Sequence, residues 1–155
     1  MNIIAVIRQI ASFIMEATSP TKPDIKMVKL SYEDIQKELQ PYGLMWLYRS
    51  GLDESYYSTS AVDLAEMIHY IYCKYQMPRY IAERMDCDDF AFLFRSLAAA
   101  MFGVNCVAVV FGRTPGGYHA WDLVRTEDGW LQFEPQTGDS REMNYQYYKP
   151  EVILI

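Results

Sequence analysis

Apolar residues recur at helical spacing through Ile3, Ile7, Ile10 and Ile14, and the stretch TSPTKPD then supplies the breakers that end a helix and open a connection. The pattern predicts an N-terminal helix over 1–17, a linker over 18–24 and a core over 25–155. Ser31 is placed to cap a short helix reaching Gln40, with Asp34 in its first turn and Pro41 and Gly43 closing it. From Leu44 to Ser60 the chain is aromatic without a period, which reads as irregular structure. Ser60 then caps AVDLAEMIHYIYCKYQ, where Leu64, Ile68, Ile71 and Tyr75 form an apolar stripe and Pro78 lies just past the end. A further helix, CDDFAFLFRSLAAAMF, is apolar on most sides and stops at Gly103, so it is predicted to be the central, buried one.

After Gly103 the pattern changes to β-branched and alternating runs. VNCVAVVFG, GYHAWDLVRT, GWLQFEP and the closing EVILI read as strands. Helices come first and strands afterwards, which predicts an α+β fold with a helical N-terminal part packed on a C-terminal antiparallel sheet. The turn signal TEDG centres a hairpin between Glu127 and Asp128. That register sets His119 opposite Gln136, and Glu134 opposite Trp121, so His119 and Glu134 share one face as diagonal neighbours, whereas a slip of one residue puts them on opposite faces.

At 155 residues the chain suits one domain, and with 51% apolar and 22% charged residues it can bury a core. A net charge of −6 argues against nucleic acid as a partner, since holding a phosphate backbone needs clustered Lys and Arg. Three widely spaced cysteines suggest neither a disulfide framework nor a zinc site, and imply a reducing, cytoplasmic setting. The apolar opening carries Arg8 and falls short of the roughly 20 residues that cross a bilayer, so no membrane span is expected. No dinucleotide fingerprint, Walker loop or HExxH motif is present, and no cofactor or metal is implied.

The candidate chemistry centres on Cys87 at the predicted start of a helix, where unpaired backbone N–H groups favour a thiolate. Cys73 and Cys106 read as buried structural thiols, and His69 as a partly exposed surface residue. Asp86, Asp88 and Asp89 flank Cys87 with like charge that opposes the thiolate, although acidic groups also suit a helix start, with Asp86 as its cap.

Three stretches, DCDDFAFLFRSLAAAMFGV, YHAWDLV and GWLQFEPQTG, together resemble the transglutaminase-like branch of the papain-like cysteine enzymes over residues 80–138. The spacing is also similar to small phage and prophage members of that superfamily. The resemblance implies a papain-like or transglutaminase-like core. Its catalytic set would be Cys87 as nucleophile, His119 as base and then acid, and Glu134 as the group that orients His119. Trp46 enters as an oxyanion-site donor, with Trp121 and Gln136 beside the substrate. The family usually carries Asp where this chain has Glu134.

On this reading the chain is a cysteine-dependent hydrolase or acyltransferase, a peptidase, amidase or transglutaminase-like enzyme acting on a peptide or protein amide. The alternative is an inactive binding module for a glycan, peptide or host protein, motivated by the rings of Tyr56, Tyr57, Trp121 and Trp130. A structural part of a phage particle, or a host-directed inhibitor, is the third reading.

Overall fold

The computed structural model describes residues 20–40, 45–46, 53–75, 77–142 and 147–155; the predicted helix over 1–17 lies outside them. Eight strands and three helices follow in order: β1 Met27–Ser31, α1 Tyr32–Leu39, β2 Met45–Trp46, β3 Ser55–Thr59, α2 Ala61–Tyr75, α3 Cys87–Phe102, β4 Val107–Thr114, β5 Gly117–Thr126, β6 Gly129–Glu134, β7 Asp139–Glu142 and β8 Lys149–Leu154.

The helix ends follow local chemistry. Ser31 Oγ accepts from the Asp34 N–H at 3.2 Å while the Asp34 carboxylate accepts from the Ser31 N–H at 3.1 Å, a reciprocal cap that starts α1. Ser60 Oγ accepts from the Asp63 N–H at the start of α2, and the Glu127 carboxylate accepts from the Ala61 N–H there at 2.7 Å. At α3 the Asp89 carboxylate accepts from the Asp86 N–H, and Gly103 closes the helix at φ 75°.

Six strands form one sheet in the order β2-β8-β4-β5-β6-β7, while β1 and β3 pair antiparallel as a separate ribbon. Pleat alternation divides the core in two. Ala108, Val110, Trp121, Leu123, Trp130 and Ile153 face Ile35 and Leu39 of α1 and Tyr56 of β3. Val107, Val124 and Phe133 face the opposite way, against Leu64, Met67 and Ile71 of α2 and Phe94, Ala98 and Phe102 of α3. The sheet therefore lies between layers, with the helix bearing Cys87 on one side.

The expected arrangement of helices first and strands afterwards, on a papain-like or transglutaminase-like core, is corrected by this architecture. The N-terminal half itself supplies β1, β2 and β3, and β2 runs parallel to β8, so the sheet is mixed rather than wholly antiparallel. The stretch left as irregular contains β2 and β3. The physical reason is that β1 is largely exposed, with Val28 60% accessible, and that two buried positions of β3, Ser58 and Thr59, are polar, so neither strand carries a clear hydrophobic alternation. Helix α3 is likewise less enclosed than predicted: Phe90, Ala91, Phe94, Ala98 and Phe102 are buried, whereas Phe92 is exposed. Among the described residues no helix is long and apolar enough to cross a membrane.

Candidate functional site

The hairpin between β5 and β6 has the register read from its turn, with Asp122 opposite Phe133 and Thr126 opposite Gly129. Extending past the end of that ladder, the same register brings His119 and Glu134 onto one face. Their side chains meet with His119 Nε2 2.6 Å from Glu134 Oε2, at 22% and 11% side-chain exposure. The other carboxylate oxygen, Glu134 Oε1, accepts from the Gln136 N–H at 3.3 Å. Glu134 starts a tight turn in which its carbonyl accepts from the Thr137 and Gly138 N–H groups, and Tyr72 O–H donates to the Pro135 carbonyl from α2. The carboxylate is thus held by a turn that a helix buttresses.

Behind the imidazole, Trp121 stacks at 6.2 Å between centroids and 23° between planes, and Tyr148 packs edge-on against the indole at 5.1 Å. Trp121 is 1% exposed, so it is a floor under His119 and offers no open face to a ligand. Of the other rings named from the sequence, Tyr56 and Trp130 are buried, leaving Tyr57 alone at the surface. The Trp46 side chain lies outside the described residues, while its backbone pairs with Ile153.

Cys87 begins α3 and is partly exposed, with the Ala120 N–H, next to His119 in β5, directed at its sulfur. Among the described residues no hydrogen bond joins this thiol to the His119 ring. Burial pushes the Cys87 thiol up, and the Asp86 and Asp88 charges push in the same direction against the pull of the Ala120 and Asp88 N–H groups. The neutral thiol is therefore favoured, contrary to the thiolate expected from the helix start alone. The neighbouring Asp86 and Asp88 carboxyls act on each other, lowering Asp86 and raising Asp88. Their ligand atoms and the Cys87 sulfur lie within 4.8 Å of one another, a cluster of partly exposed groups.

One residue near this site carries no motif. Asp122 is fully buried, and neither carboxylate oxygen has a hydrogen-bond partner among the described residues. Burial raises it well above the ordinary 3.8, Glu134 adds to the rise, and Arg95 opposes it. A raised native value means that the folded state holds the proton more tightly than the unfolded one. Stability from this group is complete below about pH 3.8 and is lost as pH rises toward the native value. Replacing Asp122 with Asn is expected to flatten that fall and raise the melting temperature at pH 7. Thermal melts of the two proteins from pH 4 to pH 8 would refute this if the curves stayed parallel.

The family model for the ricin-type beta-trefoil lectin C-terminal domain matches residues 22–154. No curated protein sequence matches the chain. Among solved structures, it is similar to a PSL1a–E64 complex with TM-score 0.64 and 20% identity, over 82% of this chain and 50% of that one. It is similar also to the Polyporus squamosus lectin bound to the human-type influenza-binding epitope Neu5Acα2-6Galβ1-4GlcNAc, with TM-score 0.64 and 19% identity, over 82% of this chain and 49% of that one. The chain thus spans about half the length of the lectins it matches.

These findings overturn the resemblance to transglutaminase-like and papain-like enzymes, together with the fold, the catalytic triad and the hydrolase or acyltransferase activity it implied. The order of Cys, His and Glu along the chain was the signal. The same order arises wherever a helix packs beside a hairpin that carries a His and a carboxylate, and order alone does not set the protonation of the thiol.

Proposed function

We propose that this chain, which belongs to the family of ricin-type beta-trefoil lectin C-terminal domains, is a recognition module that binds a glycan at the polar cluster of His119 and Glu134. The observation that carries the reading is the 2.6 Å His119–Glu134 contact, held by a turn and an indole floor while remaining partly open to solvent. A carboxylate accepts from sugar hydroxyls and an imidazole exchanges hydrogen bonds with them. Because both groups are already ordered, little further conformational entropy is lost on binding. Tyr80, in the segment leading to Cys87, is 58% exposed and can stack on the apolar face of a sugar ring. Gln136 anchors the carboxylate through its N–H.

The lectin similar to this chain was solved with a sialylated trisaccharide. With a net charge of −6 this chain is a poor host for an anionic sugar, so a neutral oligosaccharide is the favoured ligand class.

Calorimetric titration with Galβ1-4GlcNAc and with Neu5Acα2-6Galβ1-4GlcNAc tests both statements. The neutral disaccharide is expected to bind more tightly. His119→Ala and Glu134→Gln should each weaken it about tenfold or more, the loss of one buried polar partner, while Cys87→Ser leaves it intact. Absence of binding to either sugar, or equal affinity in His119→Ala, refutes the proposal.

A further inference from the structure

The ribbon of β1 and β3 has two edges, and the structure covers one of them. On the β3 side the Tyr57 N–H donates to the Asn105 side chain at 2.7 Å, and the Tyr57 carbonyl accepts from the Cys106 N–H at 3.1 Å. Both backbone groups of Tyr57 therefore point away from β1. Antiparallel partners alternate between bonded and non-bonded pairs, so Lys29, opposite Tyr57, is non-bonded, and so is Met27, opposite Thr59. The Val28 carbonyl between them faces β3, where the Ser58 hydroxyl donates to it at 3.4 Å. The N–H and C=O groups of Met27 and Lys29 are thus turned outward, and among the described residues none of these groups has a partner.

This open edge carries charge of one sign. Lys26 and Lys29 are exposed, and among the described residues neither ammonium is ion-paired, in a chain whose net charge is −6. Val28 and Leu30 line a depression of about 480 Å³ with Asp63 and Glu127, but both carboxylates are engaged. Asp63 accepts from the Lys26 N–H, and Glu127 accepts from the Ala61 N–H. Lysines on an edge oppose pairing with a second copy, since two antiparallel β1 strands bring Lys26 and Lys29 of both copies close across the ladder. An acidic strand turns the same charges into attraction.

We propose that β1 is a docking edge for an extended acidic segment of a partner protein, which adds a third strand to the ribbon. The outward groups of Met27 and Lys29 supply the main-chain hydrogen bonds, and side chains alternate across the added strand. Acidic side chains on the face shared with Lys29 meet its ammonium. Apolar side chains on the other face cover Val28, which is 60% exposed. The proposal is independent of glycan binding at His119 and Glu134.

The probe is a blocked hexapeptide alternating Glu and Val, titrated into the isotope-labelled full chain and followed by amide NMR shifts. The Met27 and Lys29 amides are expected to shift and to exchange more slowly with solvent, while the His119 amide stays in place. A hexapeptide alternating Lys and Val should bind at least about tenfold more weakly. Lys29→Pro should weaken binding of the Glu peptide about tenfold or more with unchanged far-UV circular dichroism, because the N–H it removes faces away from the ladder. Lys29→Glu keeps that N–H, and should lose affinity for the Glu peptide while gaining it for the Lys peptide. The proposal is overturned if the Glu peptide shifts no amide of β1, if the two peptides bind equally, or if Lys29→Pro and Lys29→Glu bind as wild type does. It is overturned also if sedimentation shows a dimer that Lys29→Pro separates, since the edge then belongs to a second copy.

Discussion

Trp121→Ala is expected to lower unfolding stability by about 3–5 kcal/mol, the usual cost of deleting a fully buried large aromatic side chain. For a chain of this size that corresponds to a drop in melting temperature on the order of 10 °C. The indole fills the core between α1 and the sheet, packs edge-on with Tyr148 and stacks beneath His119. Its removal opens a cavity that the sheet backbone cannot close, and it takes away the surface against which the imidazole is held. Trp121→Phe should cost less, because it retains most of the packing and removes an indole N–H that has no partner among the described residues. Urea unfolding of the three proteins measures the difference. A loss below about 1 kcal/mol for Trp121→Ala would mean that the site collapses around the missing ring and that the floor beneath His119 is dispensable.

Gly112→Ala is expected to destabilise by about 3 kcal/mol, the upper part of the range for overpacking. Gly112 sits where the ladder between β4 and β8 shifts register after Phe111. A Cβ there would stand 2.2 Å from the Lys149 carbonyl oxygen and 2.9 Å from the Trp121 ring. The first of these contacts is with backbone, which cannot swing aside as a side chain does, so β8 must move or the pairing must break. Gly116→Ala is the matched control in the same hairpin, with nothing closer than Thr114 Oγ1 at 3.7 Å, and it should stay within about 0.5 kcal/mol of wild type. In the Trp121→Ala background the ring contact vanishes but the carbonyl contact remains. The two substitutions should therefore couple only in part, which a double-mutant cycle will read. Equal stabilities of Gly112→Ala and Gly116→Ala would show that the strand accommodates the methyl freely.

Both substitutions meet at the same place because the bulge and the indole solve one packing problem. The absent side chain at Gly112 makes room for the ring that supports His119. Stability of the core and geometry of the His119–Glu134 pair are thereby linked. On the proposed function, a variant that repacks around residue 112 should shift glycan affinity as well as melting temperature.

Several parts of this arrangement were legible in residue order. The caps at Ser31, Ser60, Asp86 and Gly103 depend on groups within a few residues, and each helix starts or stops where those groups sit. The turn after Thr126 set the register of β5 on β6, and from that register the meeting of His119 with Glu134 followed. Hidden from the same reading were the ribbon of β1 and β3, in which β1 is exposed and the buried Ser58 and Thr59 of β3 are polar, and the parallel pairing of β2 with β8. Also hidden was the exposure of Cys73, and the Cys, His and Glu pattern pointed first to an enzyme, whereas the family found is a lectin one, nearer the alternative reading of a glycan-binding module.

Residue order alone decided where helices begin, where strands turn and which side chains share a pleat, because caps, turn residues and alternation act over a few positions and need no distant partner. Tertiary packing decided that burial pushes the Cys87 thiol up, that Asp122 is sealed without a partner among the described residues and that Trp121 is a floor. These depend on desolvation and on charges delivered by segments remote in the chain, and such quantities exist only once the layers have closed.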